Sequence, residues 1–285
     1  MSTVRATRKA SWAIALILTL ASPPLLAQMC PYPWLTRVDP AQSLARRIPV
    51  PSGHTRTTIA PGSFAHWLRH LPLKPGRPPV LLHNGQAKRN QTAHAAVVDI
   101  DVGRRNLQQC ADAVMRLRAE WLYAAGRKAD IRFHFTSGHL AEFAKWAQGH
   151  RPVVKGNKVR WARTARPDAS HASLRRYLTR VYIYAGTISL SREMQAVGDI
   201  RQMQIGDVFI RGGSPGHAVL VVDMAVHART GARLFMLAQS YMPAQDIHIL
   251  RNPADPALSP WYRLDFGPSL RTPEWTFSRT DLKRF

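Results

Sequence analysis

The stretch Gly206–Asp223, GDVFIRGGSPGHAVLVVD, decides the fold of this chain. A Gly/Pro-rich turn places His217 at the start of a strongly apolar run. A second apolar run, Leu234–Ala238, follows after the short polar turn Val226–Gly231. Two apolar runs that are joined by a short turn ending in Gly predict an antiparallel hairpin.

The hairpin also predicts which polar residues meet across it. Folding it near Ala228 or Arg229 places His217 across from Gln239 or Ser240, because opposed residues have Cβ atoms roughly 5 Å apart. An imidazole that is held by a neighbouring amide is the base and orienting half of a thiol or serine hydrolase site. The hairpin therefore predicts one half of a hydrolase site.

The first residues predict an export signal that covers residues 1–27. A positive start with Arg5, Arg8 and Lys9 precedes the apolar run Trp12–Leu20, and small residues offer a cleavage site after Ala27. No later run has 18 consecutive apolar residues. We therefore expect a periplasmic or secreted protein with no transmembrane segment in the mature chain.

Length and element order bound the fold class. The chain has 285 residues, enough to bury a full core in one domain. Residues 28–62 are Pro-rich and predict an irregular N-terminal arm. The rest, 63–285, predicts a single α+β domain with helices first and an antiparallel sheet after them. Within it, helical spacing predicts helices over Ser63–His70, Asn106–Ala125, His139–Gln148, Ser170–Ala185 and Ser189–Ala196.

A net charge of +23 favours anionic partners, which for an exported protein are anionic surfaces and polymers of the cell envelope. A general Arg bias on a solvated surface explains the same charge and stays open. No nucleic-acid-binding motif is present, and export separates the protein from cellular DNA, so we expect no nucleic-acid partner.

Cys110 is the candidate nucleophile. It lies near the start of the predicted helix Asn106–Ala125, where the helix dipole lowers a thiol pKa. With Asn106 as the N-cap, however, Cys110 is the fourth helical residue and belongs to the apolar stripe, where a cysteine simply packs. A disulfide with Cys30 is a third alternative in an oxidising compartment.

A cysteine at a helix start, a histidine at a later strand start and a polar residue on the next strand resemble the arrangement of papain-like hydrolases. The segment Gly206–Asp223 is similar to the His-bearing segment of papain-like wall-peptide hydrolases, such as those of the CHAP type. The resemblance implies Cys110 as nucleophile, His217 as base and Gln239 as the residue that orients the base.

Further polar residues are candidates for substrate binding. Ser240, Tyr241 and Gln245 directly follow a buried strand and suit hydrogen bonding to a polar polymer, sugar or peptide. Capping of the sheet end is the alternative. Gln91 and Gln109 could each donate to an oxyanion.

Other chemistries have weaker support. A glycosidase needs two carboxylates at a fixed separation, which Asp207 and Asp223 could supply. The histidines show no zinc-binding spacing, since His134 and His139 are five apart and no HExxH motif is present. We expect neither a metal nor another cofactor.

Taken whole, the chain resembles the bacterial family of domains of unknown function numbered 4846. The resemblance lies in five runs, which are Val97–Tyr123, Tyr184–Glu193, Gly206–Ala225, Leu237–Leu250 and Ser259–Tyr262. It implies a secreted or lipid-anchored envelope protein and supplies no activity. Our first hypothesis is a papain-like thiol hydrolase or transferase that acts on an envelope amide or ester. The second is a non-catalytic module that binds an anionic polymer or glycan of the envelope.

Overall fold

The computed structural model describes residues 30–285, so the predicted export signal lies outside the described residues. The helices are α1 (Leu44–Arg47), α2 (Phe64–Arg69), α3 (Cys110–Ala124), α4 (Phe143–Ala147), α5 (His171–Tyr184) and α6 (Thr187–Glu193). The strands are β1 (His54–Arg56), β2 (His94–Val97), β3 (Arg132–His134), β4 (Leu140–Glu142), β5 (His150–Lys155), β6 (Lys158–Arg163), β7 (Gln195–Ala196), β8 (Val208–Arg211), β9 (His217–His227), β10 (Arg233–Gln239), β11 (His248–Leu250), β12 (Trp261–Arg263), β13 (Ser269–Arg271), β14 (Thr276–Ser278) and β15 (Leu282–Arg284). In this part of the chain, no helix combines the length and the apolar character needed to cross a membrane.

One antiparallel sheet organises the chain. Its strands run in the order β2-β11-β10-β9-β8-β15-β7, while β1 also pairs with β9 and β12 with β10. The first nine residues of β9 are buried, as expected for a central strand with an almost continuous apolar run. Helices and this sheet share one hydrophobic core, so the fold is a single α+β domain, as predicted.

The hairpin of β9 and β10 confirms the arrangement that its sequence predicts. Arg233 pairs with Val226 beside the turn, and the register shifts at a β-bulge between Met236 and Leu237. Beyond the bulge, Ala238 pairs with Leu220. The ends of the two strands, with His217 and Gln239, therefore lie side by side.

Helix α3 packs on β9 and β10, but it begins later than its sequence pattern indicates. Asn106, the expected N-cap, uses its side-chain oxygen to accept the backbone N–H of Ala244 at 2.7 Å. Gln109 is the N-cap instead, with an extended backbone, and its own N–H donates to the carboxylate of Asp112 at 3.0 Å. This correction makes Cys110 the first residue of the helix.

Two other segments also differ from their predicted structure. The segment predicted as a helix over His139–Gln148 starts with strand β4, which pairs with β3, and only Phe143–Ala147 is helical. The Pro-rich arm contains α1 and β1, and β1 joins the central sheet through β9. The arm is therefore part of the domain rather than an irregular cover.

Candidate active site

A cavity of about 400 Å³ lies where the start of α3 meets the start of β9. Cys110 and His217 both line it. They are 107 positions apart in the chain, and the packing of α3 on the sheet brings them to the same cavity. Gln109, Tyr241 and Trp275 form other parts of its wall. The cavity therefore unites the predicted nucleophile with the predicted base.

Cys110 occupies the helix position where backbone amides are free. The first amides of a helix have no partner within it, and the helix dipole is positive there. Burial nevertheless raises the pKa of the Cys110 thiol to about 11, and the charge of Asp112 acts in the same direction. The backbone amides of Ala111 and Ala218 oppose this change by donating towards the sulfur. The resting thiol is therefore protonated near neutral pH, with donors already placed for a thiolate.

Both cysteines are free thiols, which removes the disulfide alternative. The Cys30 thiol lies beside the carbonyl oxygen of Tyr32, with 3.4 Å between sulfur and oxygen. Cys110 is only partly shielded and lines the cavity, so it is not a member of the buried core.

The turn before His217 fixes where that side chain starts. A Cβ at Gly216 would lie 2.5 Å from the Thr187 hydroxyl oxygen and 2.6 Å from the Gly213 carbonyl oxygen. Real Cβ atoms do not make such contacts, so only glycine fits there. Three aromatic rings then enclose the imidazole, with centroids at 4.7 Å for Tyr241, 5.5 Å for Trp275 and 5.8 Å for Phe277.

A chain of hydrogen bonds fixes the tautomer of His217. The side-chain Nε2 of Gln239 donates to Glu274 at 2.7 Å, and a carboxylate can only accept. The amide oxygen of Gln239 must therefore face His217, whose Nε2–H donates to it at 2.8 Å. The imidazole is thus protonated at Nε2, and its Nδ1 is left as the basic nitrogen.

His248 completes the same network from the neighbouring strand. Its Nδ1–H donates to the carbonyl oxygen of Asp246 at 2.8 Å, which leaves its Nε2 to accept the second N–H of Gln239 at 3.3 Å. Glu274 also forms an ion pair with Lys88. The two polar atoms of the Gln239 amide group and their three partners, His217, His248 and Glu274, thus have consistent donor and acceptor roles.

Burial keeps both histidines of this network neutral. It lowers the pKa of His217 to about 4, against the hydrogen bond to Gln239, and the charge of Lys88 lowers it further. Burial also lowers the pKa of His248 to about 3. At neutral pH the imidazole of His217 is therefore uncharged, and its Nδ1 carries no proton, as a general base requires.

The candidate substrate-binding residues fall into two groups. Gln109 and Tyr241 line the cavity. Gln91, Ser240 and Gln245 are not among its lining residues. Gln91 instead bonds the backbone of Val80 and Lys88, and the Ser240 hydroxyl donates to the carbonyl oxygens of Gln108 and Gln245. The side chains of Gln91 and Ser240 therefore hold loops in place around the sheet end, while Gln245 contributes its backbone carbonyl oxygen.

The two aspartates considered for glycan chemistry are engaged in ion pairs. Asp223 accepts from Arg56 and Arg69, each at 2.7 Å, and its side chain has no exposed surface. Asp207 accepts from Arg284 at 2.6 Å. Neither lines the cavity, and both contribute to the attachment of neighbouring segments.

Sequence reasoning did not identify several residues that shape the site. Glu274 and Trp275 belong to the C-terminal run, and Lys88 precedes the whole α3 unit. A single Glu beside a Trp has no characteristic spacing to any catalytic residue. Asp112, which the structure buries in the cavity wall, also belongs to no recognisable motif.

No group of three or more His, Cys, Asp or Glu residues in residues 30–285 is arranged to hold a metal ion.

Comparison with known proteins places the chain by its sequence. No curated protein and no solved structure matches it. The family model described as a domain of unknown function (4846) matches residues 44–284, which include every residue of the site. The chain belongs to this family of domains of unknown function.

Proposed function

We propose that the protein is a papain-like thiol hydrolase or transferase, with Cys110 as nucleophile, His217 as base and Gln239 as the residue that orients the base. One observation carries the proposal. The first residue of α3 and the first residue of β9 line the same cavity, and the amide on β10 leaves the basic nitrogen of the imidazole free. Nucleophile, base and orienter on three elements are the recurring parts of such sites.

The proton has a defined path in this mechanism. Both the thiol and the imidazole are neutral at rest, so His217 Nδ1 takes the thiol proton as the sulfur attacks a substrate carbonyl. Gln239 accepts the Nε2–H throughout and holds the ring in one orientation. The resulting imidazolium then protonates the leaving amine or alcohol.

The start of α3 supplies hydrogen-bond donors that would stabilise the oxyanion of the tetrahedral intermediate. The free backbone amides of the first turn of α3, together with the side chain of Gln109, are donors next to the thiol. Donors that are fixed before the reaction stabilise a developing oxyanion without reorganisation. Water, or an acceptor amine in a transferase, releases the acyl group from Cys110.

The predicted export signal and the high positive charge direct the proposal to the cell envelope. The cavity is open, with a polar and aromatic wall, which suits a peptide or an acylated polymer. We therefore propose an envelope amide or ester as the substrate class.

The test is release of new amino or carboxyl groups from isolated envelope peptides by the intact protein. We expect the wild-type protein to release them and Cys110→Ala to lose all activity above background. Removing a covalent nucleophile leaves only residual catalysis, so we expect the rate of Cys110→Ala to be lower by about a thousandfold or more.

Cys30→Ala is the matched control, because it removes the other free thiol at a distance from the cavity. It should retain full activity. Full activity in Cys110→Ala would contradict the thiol mechanism.

A second candidate function, an envelope-binding module, is favoured by the β5–β6 ribbon. These two strands pair only with each other, and they turn at Gly156 and Asn157. The ribbon and its flanks, residues 149–167, contain no acidic residue. The exposed cations there, none of which forms an ion pair with the described residues, are Lys155, Lys158, Arg160, Arg163 and Arg166.

Salt-dependent pull-down on isolated envelope material tests this second function. We expect strong retention at low salt and loss at high salt, since screening weakens exposed charges. A variant with the four exposed cations of β5 and β6, which are Lys155, Lys158, Arg160 and Arg163, changed to Ser should bind about tenfold more weakly. The matched control changes four exposed cations elsewhere, which are Arg89, Arg104, Arg105 and Arg229. Equal weakening in both variants would mean that net charge, and not the ribbon, binds the envelope.

A further inference from the structure

The cavity has an unexpected charge. The protein carries a net charge of +23, yet no Lys or Arg lines the cavity among the described residues. The only carboxylate in its wall is Asp112, two residues after Cys110. The cavity wall thus has an acidic side chain and no basic one, although the molecule as a whole is strongly cationic.

Asp112 has one oxygen in use and one without a partner. Its Oδ2 accepts the N–H of Gln109. Its Oδ1 is buried and has no hydrogen-bond partner among the described residues. Leaving a buried acceptor without a partner destabilises the folded protein, so such an atom needs an explanation.

Tyr182 presents a second unsatisfied group to the same cavity. The residue is 7 % exposed, it lines the cavity, and its hydroxyl has no partner among residues 30–285. Burial raises the pKa of the Tyr182 hydroxyl, and among the neighbouring charges Arg116 and Arg175 lower it while Asp112 raises it. Two residues of the same cavity wall thus each hold a buried polar atom without a partner among the described residues, which indicates a built site rather than an isolated defect of packing.

The chemistry of the two groups selects their ligand. A carboxylate oxygen only accepts hydrogen bonds, and a phenol oxygen can accept as well as donate. A primary ammonium group brings three donors and a positive charge, and charge-assisted bonds are the stronger kind. We propose that Asp112 and Tyr182 form a subsite for a primary ammonium group of the substrate, an inference that rests on the proposed function of Cys110.

The subsite also bears on the thiol. Burial raises the pKa of Asp112 well above its ordinary value, so a bound cation is what stabilises the ionised carboxylate. A charged Asp112 raises the pKa of the Cys110 thiol, and a bound ammonium group opposes that effect. The pair of Asp112 and a bound ammonium group is therefore close to neutral, so binding of the substrate does not make the thiol harder to deprotonate.

Thiosulfonate reagents test the subsite without a known substrate. The thiolate of Cys110 attacks the sulfenyl sulfur, a disulfide forms, the bond to the sulfonyl group breaks and methanesulfinate leaves. The probes are 2-aminoethyl, 2-(trimethylammonium)ethyl and methyl methanethiosulfonate. Modification of Cys110 is followed by mass spectrometry, with Cys30 as the internal reference for each reagent.

We expect the aminoethyl reagent to modify Cys110 about tenfold faster than the methyl reagent, after correction by the rates at Cys30. The trimethylammonium reagent, which has the charge without N–H donors, should show less of this preference. Asp112→Asn keeps an acceptor for the Gln109 N–H and should abolish the preference, while Tyr182→Phe should reduce it. The same preference in the wild type and in Asp112→Asn would overturn the subsite.

The outcomes separate the subsite from the proposed function. If all reagents modify Cys110 without preference, the subsite is wrong and the thiol mechanism stands. If no reagent modifies Cys110 in the folded protein, the thiol mechanism fails, and the subsite is then tested on Cys110→Ser by titration with ethylamine. A saturable shift of the Tyr182 ring signals that is lost in Asp112→Asn supports the subsite, and its absence overturns it.

Discussion

Replacing His217 with alanine is expected to slow the alkylation of Cys110 by iodoacetamide about 100-fold near neutral pH, the lower end of general base catalysis. Burial raises the pKa of the thiol to about 11, so almost no thiolate exists at neutral pH without a base. His217, whose pKa is lowered to about 4 by burial, is neutral there and can take the proton. Mass spectrometry of the Cys110 peptide over time measures the rate.

The pH dependence gives this prediction its control. As the pH approaches 11, the thiolate forms without His217, so the rates of wild type and His217→Ala should converge. Cys30 should react equally in both proteins at every pH. Nitrogen chemical shifts of the His217 ring report separately whether Nε2 carries the proton. Equal rates for both proteins near neutral pH would contradict the role of His217 as the base.

Acidification is expected to remove about 5 kcal/mol of unfolding free energy between about pH 7 and pH 4.5, from His217 and His248 together. Burial lowers the pKa of these histidines to about 4 and about 3, from 6.5. The unfolded chain therefore binds protons at a higher pH than the folded chain. Their stabilising contribution is complete above pH 6.5 and is lost as the pH falls towards 4. Denaturant unfolding at a series of pH values measures it.

Variants identify which histidines cause the loss. His248→Gln can still accept from Gln239 and donate to the Asp246 carbonyl oxygen, and it should remove about half of the pH dependence. His139 is exposed, so His139→Gln is the matched control and should leave the dependence unchanged. An unchanged dependence in His248→Gln would show that carboxylates, not the buried imidazoles, cause the acid sensitivity.

The local patterns of the sequence predicted a large share of the fold and of the site. The apolar run after His217, the polar turn and the second apolar run are sufficient to predict the β9–β10 hairpin, because hairpin partners are neighbours in the chain. The predicted contact of His217 and Gln239 is present, but it also depends on the β-bulge in β9, which the apolar pattern does not indicate. The helix that carries Cys110 follows from its apolar spacing.

Interactions between distant segments could not be predicted in the same way. The start of α3 depends on Asn106, which caps the loop at Ala244 instead of the helix. Glu274 reaches Gln239 from 35 positions away, and its pairing with Lys88 spans 186. No periodicity within one element encodes such partners, since they are selected by the packing of whole segments against the sheet.

The β-bulge in the hairpin decides which face of the sheet the side chain of Gln239 occupies. Neighbouring side chains of a strand point to opposite faces of the sheet. If the register of Arg233 and Val226 continued unbroken, Gln239 would lie opposite Leu220, on the face away from His217. The bulge leaves Val222 unpaired and advances the register by one, so Gln239 comes opposite Val219, on the face of His217. The unpaired Val222 thus decides on which face of the sheet the amide of Gln239 lies, although Val222 itself takes no part in the proposed reaction.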